Sequence, residues 1–300
     1  MEPPRCSSEI STTPIEHHYV WGSIIHEGKF TTIRKATDRT NNPVIIKTIN
    51  KKKAEVDRVD PQREMELLHQ CSPGSNGIID LLGSYETPQH VHVVLEWAEG
   101  KDLQYQINHC YRYWTENTTR CFIRKLLHTL SLLHALGIAH RDIKPENILC
   151  THVPAPNGAR AKTKCFKLAD FDLAVKVCEG TYKIAGTLGY MAPETIRLLK
   201  MRKSLVAYDV LKADIWSVGV VMYILVIGCH PFVSISNTMS SDDVKRIKHN
   251  IACGKYGHIP KNIPPLVSNL LQSLLEVNPV KRPSATEALQ HPWFSTQAKI

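Results

Sequence analysis

No cysteine in this 300-residue chain belongs to a C-x-x-C pair. The nine that occur are scattered: Cys6, Cys71, Cys110, Cys121, Cys150, Cys165, Cys178, Cys229 and Cys253. An odd, dispersed set argues against a disulfide framework and lacks the spacing of a structural zinc site, which points to a reducing compartment. Met1 to Pro14 has no apolar core, so it does not read as a signal peptide. The most apolar run, Ile215 to Cys229, is short for a membrane span and carries Trp216-Ser217 and Gly219, so it reads as a buried core helix. Internal repeats and low-complexity tracts are absent. These absences predict a protein of the cytoplasm, the nucleus or both, with no membrane partner. The net charge of +9 gives solubility and a weak attraction to polyanions. Lys51-Lys52-Lys53 and the Lys200, Arg202, Lys203 cluster read as solvated surface, and no specific nucleic-acid partner is expected. Asn117-Thr118-Thr119 fits a glycosylation sequon but reads as a helix start.

What is present centres on His140-Arg141-Asp142-Ile143-Lys144-Pro145-Glu146-Asn147. Within six positions stand a carboxylate able to orient a hydroxyl and take its proton, an ammonium able to neutralise phosphoryl charge, and an amide able to ligate a metal. Upstream, Thr115 reads as an N-cap with Glu116 in the first turn. Phe122, Leu126, Leu130 and Leu133 repeat at helical spacing, Gly137 ends the helix, and Ile138-Ala139 is a short strand.

This run resembles the protein kinase catalytic loop, H-R-D-x-x-x-x-N. The resemblance implies Asp142 as hydroxyl positioner and proton acceptor, Lys144 as γ-phosphate contact and Asn147 as a Mg²⁺ ligand. Lys144-Pro145-Glu146 is the serine/threonine form, and Leu149 would be the floor of the adenine site.

Earlier in the chain, Val20–Ile25, Thr31–Ala36 and Val44–Ile49 read as strands, with a turn at Asn41-Asn42-Pro43. The first turn, Ile25-His26-Glu27-Gly28-Lys29-Phe30-Thr31-Thr32-Ile33, lies where kinases carry a glycine-rich phosphate loop. Gly28 alone survives, and His26 and Thr31 replace the other glycines. The resemblance makes these nine residues ATP-binding, with Phe30 capping the phosphates and Ile33 covering the adenine. Val44-Ile45-Ile46-Lys47 resembles V-A-I-K, which implies that Lys47 pairs with the α/β-phosphates and with a helix glutamate. That helix is expected over Pro61–Cys71, with Pro61 in its first turn. Of Glu64 and Glu66, Glu64 is chosen by the pattern E-x-x-Φ-L, and Glu66 should point away with Arg63 and His69. Ile78–Glu86 and His90–Glu96 read as further strands. Glu96-Trp97-Ala98-Glu99-Gly100 resembles the hinge, where backbone groups of Glu96 and Ala98 would bond adenine behind the gatekeeper Leu95.

After an expected surface excursion over Thr151–Lys164 comes Asp170-Phe171-Asp172, which resembles D-F-G with its glycine replaced. Asp170 would bind Mg²⁺, and Asp172 loses backbone freedom and adds negative charge. MAP-kinase-interacting kinases share D-F-D, which implies a greater tendency of Phe171 towards an inactive position. Leu173–Glu194 would be the activation segment, ending near G-T-x-x-Y-x-A-P-E. Thr187 should bond near Asp142 and Lys144. Thr181 and Tyr182 are phosphorylation candidates whose phosphate would pair with Arg141. Met201–Leu211 is extra length, resembling an insertion in phosphorylase kinase. Asp214-Ile215-Trp216-Ser217-Val218-Gly219 matches D-x-W-S-x-G, so Asp214 should hold backbone amides of the catalytic loop. Asn278–Ala285 and His291-Pro292-Trp293-Phe294 resemble the calmodulin-dependent group, with Arg282 pairing to Glu194.

The resemblance covers Tyr19 to Phe294. It implies an α+β, two-lobed kinase fold: a small antiparallel β lobe with one main helix, a larger mostly helical lobe, and an ATP cleft between them. Residues 1–18 would be a mobile lead-in, 19–96 the small lobe, 97–100 the hinge, 101–294 the large lobe and 295–300 a tail. The function implied is ATP- and Mg²⁺-dependent phosphorylation of protein serine or threonine. Asp102 and Glu146 suggest basic substrate motifs. With six residues after Phe294, no calmodulin-binding tail is expected. The alternative is a pseudokinase scaffold, suggested by the depleted glycine loop and Asp172. Against it stands the retention of Lys47, Asp142 and Asp170.

Overall fold

Strand-forming residues at alternating positions build a five-stranded antiparallel sheet in the order β1-β2-β3-β5-β4. The strands are β1 (Tyr19–Glu27), β2 (Thr31–Asp38), β3 (Pro43–Asn50), β4 (Leu81–Glu86) and β5 (His90–Glu96). The structure, a computed structural model, describes residues 14–56, 60, 62–72, 75–110, 113–153, 163–199, 206–233 and 240–295. The chain divides into two compact units, 1–101 with 149–172, and 102–148 with 173–300.

In the first unit, β3 is central. Lys47 lies opposite Ile33 on β2 and Val93 on β5. The turn between β2 and β3 is closed by Asp38, whose side chain accepts from the backbone amides of Thr40 and Asn42, both at 2.8 Å. Asn41 takes a left-handed φ of 65° there. Two helices follow β3: α1 (Lys51–Val56) and α2 (Arg63–Cys71). α2 buries Glu64, Met65, Leu67, Leu68 and Cys71, the face left by apolar residues at helical spacing. Pro61, expected in its first turn, lies outside the described residues. β4 begins at Leu81 rather than Ile78, because Ile78 instead bridges to Leu168. A two-stranded ribbon, Ile148–Val153 with Thr163–Leu168, completes this part of the chain. The excursion expected over Thr151–Lys164 is therefore shorter: its ends are strand, and 154–162 lie outside the described residues.

Of the lead-in expected over residues 1–18, only 14–18 are described. A turn of 3₁₀ helix spans Ile15–His17, and Ile15 is only 2 % exposed against Ala36, Val44, Ile46, Tyr85 and Val94. Residues 1–13 lie outside the described residues.

The second unit is helical. α3 (Leu103–His109) is capped by Asp102, whose carboxylate accepts from the Tyr105 amide at 2.7 Å. α4 (Glu116–Ala135) is capped by Thr115, and the chain leaves it through Gly137 at φ 69°. Ile138–Ala139 pairs with Val175–Lys176. The remaining helices are α5 (Pro193–Leu198), α6 (Val210–Ile227), α7 (Ser241–Ala252), α8 (Pro265–Leu274) and α9 (Ala285–Leu289). The extra length expected over Met201–Leu211 is interrupted at its end, since Val210 already starts α6 behind its cap Asp209, while 200–205 lie outside the described residues. Among the described residues, α6 is long and apolar enough to cross a membrane, but 72 % of it is buried inside the protein.

One buried ion pair ties this unit together. Arg282, with no exposed surface, donates to both Glu194 oxygens at 2.8 and 2.9 Å. It also donates to the carbonyls of Glu276 and Lys212 and lies 5.3 Å from the Trp216 ring. Arg282→Met keeps the volume but leaves Glu194 and two carbonyls without their donors. This variant should lose about 3–5 kcal/mol in urea unfolding. A loss below about 1 kcal/mol would show that the pair does not hold the unit.

Candidate active site

Lys47 ends up 5 % exposed because its apolar strand runs through the middle of the sheet. A buried ammonium is tolerable only with charged partners. Lys47 has three, with Nζ 2.8 Å from Glu64, 3.2 Å from Asp170 and 2.6 Å from Asp172. Glu64, not Glu66, is the helix partner: Glu64 is buried and Glu66 exposed. Glu64 also accepts the Phe171 amide at 3.3 Å. Burial works against the Lys47 charge, yet Glu64, Asp172 and Asp170 outweigh it and hold the ammonium well above its usual value. Burial pushes the Glu64 carboxyl up to about 8; Lys47 opposes this, and Asp172 and Asp170 reinforce it. With three carboxylates around one ammonium, the excess negative charge resists ionisation of the most buried acid.

Phe171 has no exposed surface, and Asp170 takes a left-handed φ of 65°. A non-glycine residue in that region costs on the order of 1–3 kcal/mol, and such strain concentrates at functional sites. Asp172, standing where a glycine was expected, is absent from the left-handed residues. The constraint falls on Asp170 instead.

The remaining residues singled out in this unit lie as follows. The Gly28 amide donates to the Thr31 carbonyl at 2.7 Å, closing the β1–β2 turn. A Cβ on Gly28 would meet Thr31 and His26 only at ordinary contact distances, so the turn itself does not demand glycine. His26 pairs with Ile33 and Glu27 with Thr32 across the turn, Phe30 accepts from the Asn50 amide, and Lys29 is exposed. Ile25 remains 52 % exposed, a large apolar side chain left open at this turn. Leu95 is buried, while Ala98 and Leu149 are partly so. The Glu96 carboxylate accepts from the Asp80 amide at 2.9 Å and from Lys167, which also reaches Asp80 at 2.9 Å. The motifs do not show this anchor. Lys167 sits only three positions before Asp170, but nothing in its neighbours marks it as a hinge partner.

In the second unit, the residues singled out in the catalytic loop meet at Asp142, which is 6 % exposed. Its Oδ1 accepts from the Thr187 amide at 3.0 Å and the Thr187 hydroxyl at 2.7 Å. Its Oδ2 accepts from Lys144 at 2.7 Å and Asn147 Nδ2 at 2.9 Å. Lys144 also donates to the Thr187 hydroxyl at 2.9 Å. Asn147 Nδ2 faces a second acceptor, the Asp142 carbonyl, at 2.9 Å. That fixes the amide nitrogen inwards and leaves the Asn147 oxygen available as a hard ligand. Asp170 in the first unit likewise offers carboxylate oxygens on a side chain that is 42 % exposed. The two residue types therefore fit an oxygen-seeking cation such as Mg²⁺.

Asp214 supports the loop from α6. Fully buried, it accepts the amides of His140 at 2.9 Å and Arg141 at 2.8 Å, and lies 3.0 Å from His134 Nε2. Arg141 is held at φ 67° between these contacts. Gly186 is needed where it stands. Its φ is 118°, and a Cβ would come within 2.9 Å of the Arg141 carbonyl.

The activation segment differs from expectation at one point. Tyr182 is buried, 3 % exposed, because its backbone bridges to Val206 and its hydroxyl donates to the Val177 carbonyl at 2.7 Å. It therefore offers no hydroxyl for phosphorylation in this conformation. Thr181 is exposed. Arg141 donates to the carbonyls of Leu173 and Lys183, both at 2.7 Å.

Residues 19–294 match the protein kinase domain family. The chain therefore belongs to the protein kinase family. Among curated proteins it is 31 % identical over 290 residues to a probable myosin light chain kinase of Dictyostelium discoideum, covering 96 % of this chain and 85 % of that one. It is 33 % identical over 297 residues to the serine/threonine-protein kinase DCLK2 of Mus musculus and 32 % over 291 residues to DCLK3 of Homo sapiens. Those matches cover 98 % and 95 % of this chain but only 36 % and 41 % of the relatives, so the chain spans well under half of their length. Within the family it is a eukaryotic-type serine/threonine kinase of the calmodulin-dependent-kinase-like group.

His230 supports the segment after Thr187 and supplies a pH test. Its ring meets Tyr190 edge-on at 5.1 Å, and its Nδ1 accepts the amides of Phe232 and Val233, both at 3.1 Å. Burial pushes the imidazole down to about 4. The folded state thus excludes a proton that the unfolded chain accepts near pH 6.5, so this stability is present above 6.5 and lost as pH falls towards 4. Urea unfolding should show a loss on the order of 2–3 kcal/mol over that interval from this group. His230→Asn keeps an acceptor without the charge and should flatten the dependence. An unchanged slope in the variant would contradict the assignment.

Proposed function

We propose that this chain transfers the γ-phosphoryl group of ATP, with Mg²⁺, to serine or threonine hydroxyls of protein substrates. The observation that carries the reading is the setting of Asp142: four donors from Thr187, Lys144 and Asn147 fix one buried carboxylate at the end of the catalytic loop. Of these donors, Lys144 is the adjustable one, a flexible ammonium on a side chain 19 % exposed. When it turns to the transferring phosphoryl group, Asp142 Oδ2 keeps only the Asn147 donor and has room to accept the substrate hydroxyl proton. Thr187 keeps the carboxylate aligned meanwhile. Lys47, held by Glu64, binds the α/β-phosphates, and the β1–β2 turn from Ile25 to Ile33 covers them. Backbone groups of Glu96 and Ala98 bind the adenine, with Leu149 beneath it.

Asn147 and Asp170 would hold Mg²⁺. Bound there, the cation neutralises charge on the phosphates. Positioning and electrostatics account for most of the acceleration, as little covalent chemistry falls to the protein. Asp102 and Glu146 support a preference for basic residues amino-terminal to the target; one Asp102 oxygen caps α3, and Glu146 is exposed. Thr181 remains the phosphorylation candidate in the activation segment. The eight cysteines among the described residues are all free thiols, which supports a reducing, intracellular setting.

The test is transfer of labelled phosphate from ATP to a generic basic protein, with and without Mg²⁺. The parent should be active only with the metal, and Asp142→Asn should lower kcat by about 10²–10⁴-fold while nucleotide binding persists. Full activity in Asp142→Asn would remove Asp142 from the chemistry. An inactive parent that still binds ATP, with Thr181→Glu also inactive, would favour a scaffold.

A further inference from the structure

The Lys47 ammonium has three carboxyl neighbours and donates hydrogen bonds to two of them, Asp170 and Asp172. A phosphate oxygen arriving at Lys47 competes with these carboxylates for the ammonium. Glu64 is the least free to leave: its side chain is 3 % exposed and it also holds the Phe171 amide. Asp170 makes the longest of the three contacts, 3.2 Å, and lies in the left-handed region that fixes its direction. Asp172 makes the shortest, 2.6 Å, from a side chain 31 % exposed. A glycine at this position would provide no carboxylate.

We propose that Asp172 is a built-in competitor for the nucleotide phosphates: its carboxylate occupies Lys47 and must be displaced before ATP can engage that lysine. This rests on the reading of Lys47 as a phosphate-binding residue. Displacement costs a charge-assisted hydrogen bond, and the freed carboxylate then stands close to the arriving triphosphate, adding repulsion. Both effects weaken binding of phosphate-bearing nucleotides and leave the nucleoside part alone. Asp172 thus sets the ATP concentration at which the site fills.

Calorimetric titration of ATP, ADP and adenosine into the parent, Asp172→Asn, Asp172→Gly and Lys47→Met/Asp172→Asn tests this, each with and without Mg²⁺. Both single variants should bind ATP and ADP about tenfold more tightly than the parent, with adenosine unchanged. The gain should vanish in the Lys47→Met background. An equal gain for adenosine would show that Asp172 alters the pocket rather than competing with phosphate, and would overturn the proposal. Weaker ATP binding only when Mg²⁺ is present would make Asp172 a metal ligand instead, also overturning it. ATP binding that neither substitution changes overturns the competitor and leaves the functional reading intact. No binding of ATP or adenosine by the parent or either variant overturns both.

Discussion

A buried aspartate accepting two consecutive backbone amides underlies the catalytic loop. Asp214 lies on α6, the helix that is 72 % buried inside the protein, and it holds the amides of His140 and Arg141. Those contacts stabilise Arg141 in a left-handed backbone that L-residues avoid. The turn they create brings Asp142, Lys144 and Asn147 together. The core helix and the reactive carboxylate are thus one construction: remove the buried acceptor, and the amides lose their partners while the strained turn loses its restraint.

The Lys47 cluster in the other unit follows a different logic. There a buried cation is surrounded by more negative charge than it can balance. Burial first, and that excess second, make the Glu64 carboxyl resist ionisation. Such a centre favours anything that brings positive charge or takes up a carboxylate. The same excess lets Asp172 hold the lysine when no phosphate is there.

Most of this was legible in the sequence where chemistry is tied to short spacing. Asp142, Lys144 and Asn147 lie within one turn of chain, so their meeting follows from local geometry. The choice of Glu64 over Glu66 came from helical phase and agrees with their opposite exposure. Asp214 and Arg282 were found because each sits in its own motif, although their partners lie 74 and 88 positions away. What escaped were partnerships between a marked residue and an unmarked one. Asp172 was visible as a departure, but not as a ligand of Lys47 125 positions earlier. Lys167 bracing Glu96 left no trace in the alternation of its strand. Ile15 looked like part of a polar lead-in, and Tyr182 like an open loop residue, because burial of a single side chain depends on a distant surface that no local pattern encodes.

The proposed function requires Asp142 and Lys47 to act in one phosphoryl transfer. Single-turnover phosphoryl transfer in a double-mutant cycle of Asp142→Asn and Lys47→Met tests this most directly. Residues acting as a unit are strongly non-additive. The account predicts a double variant scarcely slower than the slower single variant. Losses that multiply, as for two independent sites, would contradict it.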